Sequence, residues 1–194
     1  LHKAIRRQRQ MCIRDRPKAS IKDFRITSTL DDSYKNGIFK VAIDMKNHKD
    51  STVALKVCYE LIGALNKIVA SGETKLLLPS GRIKTVTFER QLQDVQTWTS
   101  ESPNLYKLIM TIQENGESTE VVPFNVGFRR IEIKRIEQKA ENGKNYTVLL
   151  INGQPLKLKG VNIHEHNPET GHYLTEDLMR KDFELMKRAN INTV

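Results

Sequence analysis

From about residue 18 to 126 the dominant signal is alternation of apolar and polar side chains with a period of two. Phe39, Val41, Ile43 and Met45 alternate with Lys40, Ala42 and Asp44. Val53, Leu55, Val57 and Tyr59 alternate with Ala54, Lys56 and Cys58, and Tyr106, Leu108, Met110 and Ile112 with Lys107, Ile109 and Thr111. Successive side chains of a strand point to opposite faces, so each run reads as a strand with one core face. Asn36-Gly37, Ser71-Gly72, Pro79-Ser80-Gly81 and Asn115-Gly116 supply turn chemistry between the runs. Short strands at this spacing, with no helical period between them, predict an antiparallel β-sandwich of about 110 residues. Its expected bounds are residues 17–126.

The pattern changes after Gly127. Ile131-Glu132-Ile133 and Tyr146 to Ile151 read as a hairpin around Glu141-Asn142-Gly143. A turn at Asn152-Gly153 precedes a strand expected over Leu156 to Val161, and a polar stretch runs from His164 to His172. Then the period becomes helical: Leu178, Met179, Phe183, Met186 and Ala189 form one stripe. Thr175 is placed to cap the helix, Glu176 and Asp177 fall in its first turn, and Lys187 and Arg188 in its last, all favourable with the helix dipole. Asn190 ends it, and Ile191 to Val194 begins another strand. Strand, loop, helix, strand opens a βαβ unit. A parallel unit needs a sheet covered on both faces, and a (β/α)₈ barrel alone takes about 250 residues. Residues 127–194 are therefore expected to be only the first βα unit of something larger that is truncated.

The chain carries 32 basic and 23 acidic residues, a formal charge of +9. Such an excess raises nucleic acid as a partner. It is unevenly spread, however. Lys3, Arg6, Arg7, Arg9, Arg14, Arg16 and Lys18 face only Asp15 in the first 18 residues, and the remainder is nearly balanced. A nucleic-acid partner is accordingly not expected. Met11-Cys12-Ile13-Arg14-Asp15-Arg16 resembles translated sequencing-adapter sequence, and residues 1–16 are read as an extraneous or disordered basic leader. No apolar run approaches ~18 residues, so no membrane-spanning helix is expected. Cys12 and Cys58 make no disulfide framework, no Cys-x-x-Cys motif occurs, and Cys58 reads as a small buried or half-buried apolar residue.

Chemistry concentrates in Gly160-Val161-Asn162-Ile163-His164-Glu165-His166-Asn167-Pro168. If Leu156 to Val161 is a barrel strand, this segment leaves its carboxyl end, where barrel enzymes place catalytic groups. Three readings stay open. His164 and His166 fall on one side of an extended chain and could chelate a divalent ion. His and Glu side chains could do acid–base or electrostatic work on a bound substrate. Or the histidines could simply cap backbone groups of a polar loop. Phosphate binding is excluded, because no Gly-x-x-x-x-Gly-Lys-Ser/Thr segment occurs. Trp98 could stack on a sugar, or serve as core or as an interdomain contact. Neither a Ser–His–Asp nor a Cys–His arrangement can be assembled.

Further segments occur in a recognisable order. Trp98-Thr99-Ser100-Glu101-Ser102-Pro103-Asn104-Leu105-Tyr106 resembles the Trp-x-x-Glu-x-Pro-x-Leu-Tyr stretch of glycoside hydrolase family 2, late in that family's immunoglobulin-like domain. Val126-Gly127-Phe128-Arg129 resembles its junction into the catalytic barrel. Asn152-Gly153-Gln154-Pro155 and the Gly160 to Pro168 segment are similar to its Asn-Gly-x-Pro and Gly-Val-Asn-x-His-Glu-His-x-Pro segments. Met179, Asp182, Leu185-Met186-Lys187 and Asn190 to Val194 fit the helix and second strand that follow. The resemblance covers about residues 98–194. It implies an all-β immunoglobulin-like sandwich followed by the first βα unit of a TIM barrel.

Within that family, His-Glu-His-x-Pro is similar to the β-galactosidase branch; the β-glucuronidase branch more often has Asp in place of His166. The resemblance implies hydrolysis of terminal β-galactosides with retention, by two glutamates about 5 Å apart. Both are expected beyond Val194, as are the ligands of the magnesium, and of any sodium, that the family uses. His164 aligns with the histidine that contacts the sugar and stabilises the transition state. Asn162, Glu165 and His166 are assigned supporting positions around it. A β-galactoside is the implied partner, and a homo-oligomer the implied state of the whole protein. Two alternatives remain: another family 2 glycosidase, such as a β-glucuronidase, or a non-catalytic sandwich that serves as scaffold or carbohydrate-binding module. The compartment stays open.

Overall fold

The computed structural model describes residues 18–139 and 145–194. The leader at residues 1–16, with Cys12, and the turn expected at Glu141-Asn142-Gly143 lie outside the described residues. The chain divides into two compact units, between Arg129 and Arg130.

Among the described residues the first unit holds seven strands: β1 (Ala19–Leu30), β2 (Gly37–Asn47), β3 (Val53–Ile62), β4 (Ile68–Leu78), β5 (Ile83–Leu92), β6 (Tyr106–Glu114) and β7 (Glu117–Val126). One antiparallel sheet has the order β1-β2-β5, the other β4-β3-β6-β7. The alternating residues Phe39 to Met45, Val53 to Leu61 and Tyr106 to Ile112 form the core between the sheets. Sequestering each large side chain from water favours folding by roughly 1.5–3 kcal/mol. Phe39 meets Tyr59 at 5.6 Å between ring centroids, and Tyr59 meets Phe88 at 4.8 Å. Where β1 runs past β7, side chains bridge them: Ile21 N–H donates to Glu120 Oε2 at 2.7 Å, and Ser28 Oγ donates to the Gly127 carbonyl at 2.9 Å.

Three turns form where the sequence places them. Asn115 and Gly116 both take positive φ (53° and 87°) between β6 and β7, Gly81 takes 65° between β4 and β5, and Asn36-Gly37 leads into β2. Ser71-Gly72 is different, for it lies inside β4, with Gly72 opposite Tyr59. A Cβ at position 72 would stand 2.7 Å from Tyr59 Cε1, so this glycine admits a tyrosine ring rather than turning the chain.

Residues 127–129 pack with the sandwich, which moves the division expected after residue 126. Phe128 is fully buried and meets Tyr106 edge-on at 5.1 Å. The Tyr106 hydroxyl accepts a hydrogen bond from Gln96 N–H at 2.9 Å, which resembles the tyrosine corner of immunoglobulin-like domains. Trp98 is half-buried. Its side chain lies against Gly127, where a Cβ would approach to 3.1 Å, and the Arg129 guanidinium sits 4.3 Å from its ring centroid. A packing role thus accounts for Trp98, and one face of the ring that a sugar would need is taken by Arg129.

The second unit contains β8 (Ile131–Lys139), β9 (Asn145–Ile151), β10 (Gln154–Pro155) and α1 (Glu176–Arg188). The first three make an antiparallel sheet of order β10-β9-β8. Asn152 and Gly153 take φ of 50° and 76° in the turn to β10, and Asn152 Oδ1 accepts from Arg130 N–H at 2.9 Å. Helix α1 starts as expected: Thr175 Oγ1 accepts from Leu178 N–H, with Glu176 and Asp177 in the first turn and Lys187 and Arg188 in the last. It ends one residue before the last member of the stripe, since Ala189 is its C-cap. Asn190 follows with φ of 59°; its N–H bonds the Lys187 carbonyl and Ile191 N–H the Met186 carbonyl, a Schellman closure with Asn in the usual glycine position. No residue of α1 is buried, and Phe183 is 52% exposed. No helix among the described residues is long and apolar enough to cross a membrane.

Candidate functional site

The segment leading to the candidate residues is extended but is not a full strand. Of the run expected as a strand over 156–161, only Gly160 pairs, in a single parallel bridge with Thr193. The bridge carries its own hydrogen bonds: Val161 N–H to the Thr193 carbonyl at 3.1 Å and Asn192 N–H to the Lys159 carbonyl at 3.1 Å.

Asn192 does more than pair. Its Oδ1 accepts from Lys159 N–H at 2.8 Å, and its Nδ2 donates to the Lys157 carbonyl at 3.0 Å. The side chain thus adds two bonds, at Lys157 and Lys159, to the backbone bond that Asn192 already gives the Lys159 carbonyl. Sequence reasoning read Asn192 only as part of the strand beginning at Ile191, because its side-chain partners lie 33 and 35 residues away. With α1 lying between Gly160 and Thr193 in sequence, the arrangement is extended segment, helix and parallel return, the geometry of a βα unit.

His164 lies four residues beyond Gly160, off the carboxyl end of that segment. Asn162, His164, Glu165 and His166 are all exposed. No hydrogen bond or ion pair to another described residue occupies the His164 ring, so both its nitrogens are open to a ligand. The structure gathers these four side chains only by adjacency along the chain, with no pairing among them. His166 instead meets His172 edge-on, ring centroids 5.4 Å apart. Among the described residues no three His, Cys, Asp or Glu side chains converge as a metal-binding group. Beyond His166 the backbone folds into a tight turn. Asn167 and Gly171 exchange N–H···O bonds of 2.8 Å in both directions, and Asn167 Oδ1 accepts from Glu169 N–H at 2.9 Å and Thr170 N–H at 3.2 Å. Asn before Pro168 suits the start of such a turn, and Gly171 with φ of 67° its close.

An exposed imidazole with free nitrogens at the end of a parallel segment can donate a hydrogen bond to a hydroxyl, or to negative charge that grows in a transition state. It cannot by itself cleave a glycosidic bond with retention, which takes two carboxyl groups facing one another.

Comparison with known proteins agrees with this architecture. Residues 19–129 match the sequence model of glycosyl hydrolases family 2, and residues 144–194 match the model of the TIM barrel domain of glycosyl hydrolases family 2. A beta-galactosidase of Photobacterium profundum is 31% identical over 188 residues, covering 96% of this chain and 17% of that protein. A beta-galactosidase of Vibrio vulnificus (strain CMCP6) is 32% identical over 197 residues, with the same coverage of 96% and 17%. The crystal structure of Parabacteroides merdae beta-glucuronidase matches with a TM-score of 0.73 at 25% identity, over 91% of this chain and 20% of that one. The chain spans 17% of the length of these two curated relatives.

Proposed function

The chain belongs to glycosyl hydrolases family 2, and from that premise we propose that it is part of a retaining β-galactosidase that hydrolyses terminal, non-reducing β-D-galactose residues. The observation that carries this reading is the match to beta-galactosidases at 31–32% identity over 96% of the chain. His166, in the position where the β-glucuronidase branch more often has Asp, points the same way.

In the proposed reaction His164 donates from a ring nitrogen to a sugar hydroxyl, or to the charge that develops near the ring oxygen. Its exposure and unspent hydrogen-bonding capacity support that role. Asn162, Glu165 and His166 shape the segment around it. The acid/base and nucleophile are proposed to be two glutamates supplied by the remainder of the barrel, about 5 Å apart as retention requires. Magnesium is proposed for the whole protein. The described residues do not offer it a ligand set. A homo-oligomeric whole protein belongs to the same proposal.

The test uses the protein extended through its barrel. It should hydrolyse an aryl β-galactoside and release β-galactose as the first anomer seen by NMR, while these 194 residues alone show no turnover. Turnover by the chain alone would contradict the reading, as would release of α-galactose. A preference for an aryl β-glucuronide would favour the second reading, a β-glucuronidase, for which the Parabacteroides merdae structure speaks.

A further inference from the structure

The loop that carries His164 is fastened by a residue that the proposed reaction does not use. His172 places its Nδ1 2.9 Å from the carbonyl oxygen of Glu165. A carbonyl oxygen only accepts, so Nδ1 carries a proton, and neutral His172 is the Nδ1–H tautomer. The same ring meets His166 edge-on. Inside this clasp lies the Asn167–Gly171 turn, closed by its own backbone bonds. On the other side the chain is held at Val161, whose N–H donates to the Thr193 carbonyl. Only Asn162, Ile163 and His164 lie between the two anchors. Without the clasp, the unanchored run extends to His166.

We propose that His172 is a positioning residue: it holds the Glu165 peptide, and through it the backbone of His164, in place for a sugar hydroxyl. This rests on the galactosidase reading above and adds to it a residue that lies beyond the Gly160 to Pro168 segment. The bond is exposed to water, so its net contribution is that of a single hydrogen bond. Its loss should appear in kcat rather than KM, because a displaced donor matters most where charge develops.

The experiment is kinetics of the barrel-containing protein on an aryl β-galactoside, with thermal melts of each variant. His172→Ala should lower kcat about tenfold, which corresponds to about 1.4 kcal/mol, and leave KM within about twofold. His172→Asn sets an amide N–H where Nδ1 sits and should keep kcat within about twofold of the parent. His172→Gln reaches the Nε2 position instead and should fall like His172→Ala. The double variant His164→Ala/His172→Ala should be no slower than His164→Ala alone, since His172 acts through His164. Equal rates for the Asn and Gln variants, an unchanged rate for His172→Ala, or additive losses in the double variant would each overturn the proposal. An unchanged rate in His164→Ala would instead overturn the site reading, so the two failures are told apart.

Discussion

Replacing Asn47 should weaken the sandwich more than any exposed polar substitution. The residue ends β2 and is fully buried. Its Nδ2 donates to the Ser51 carbonyl at 2.8 Å and to the Leu78 carbonyl at 2.9 Å, while its Oδ1 accepts from Lys49 N–H at 2.8 Å. One side chain therefore ties the end of β2 to the turn that follows and to the end of β4 in the opposite sheet. Asn47→Ala strips all three bonds. The bond to Leu78 is buried, and orphaning such an acceptor costs about 1–3 kcal/mol. The other two are partly buried, and water can replace them at about 0.5–1 kcal/mol each. The sum is roughly 2–5 kcal/mol, a large share of the ~5–15 kcal/mol that holds a domain together. Asn47→Asp should be worse near neutral pH, because two carbonyls then face a carboxylate, and should recover in acid as the carboxyl regains a donor. Urea unfolding followed by Trp98 fluorescence reads both variants, since Trp98 is the chain's single tryptophan and packs at the end of this sandwich. The midpoint should drop with the slope unchanged. A loss below about 0.5 kcal/mol in Asn47→Ala would refute the assignment of this side chain as the tie between the sheets.

Two further outcomes are expected. Gly72→Ala should destabilise the sandwich by about 1–3 kcal/mol, since its Cβ would press on the Tyr59 ring; an unchanged urea midpoint would mean that the ring moves aside freely. The Asp31 carboxyl, in the loop between β1 and β2, accepts from the Ser33 hydroxyl, the Asn36 side chain and the Lys35 and Asn36 backbone, which hold its pKa down to about 2. A depressed carboxylate contributes stability that is present above its ordinary value of 3.8 and is lost as pH falls from there through about 2. Carboxyl NMR titration should place Asp31 well below 3.8, and a midpoint at or above 3.8 would rule this network out.

The sandwich was legible because its signal is local and repeated. Phe39, Val41, Ile43 and Met45 are buried to the last residue, as alternation requires. Helix α1 was legible for the same reason: its cap, its terminal charges and its stripe all lie within about four helical turns of one another. Ser71-Gly72 misled because a glycine that admits a neighbour's ring carries the same letters as one that turns the chain; only the register against Tyr59 separates them. The strand expected over 156–161 came out as one bridge because a strand is a property of two segments, and periodicity sees one. Asn192, and the clasp of His172 on Glu165, escaped for a related reason. Each is an ordinary polar residue until the fold brings its partner within hydrogen-bond reach. His164 was found through the resemblance of its segment, and the geometry adds that it stands open at the end of a parallel segment.

The most direct test of the account is the kinetics of His164→Ala in the barrel-containing protein, with an aryl β-galactoside as substrate. Losing a donor aimed at developing charge should lower kcat by about 10²–10³ while the melting temperature stays put, because the side chain is exposed and touches no described partner. An unaltered kcat, or a loss matched by a fall in melting temperature, would show that the imidazole at this position does not serve the transition state.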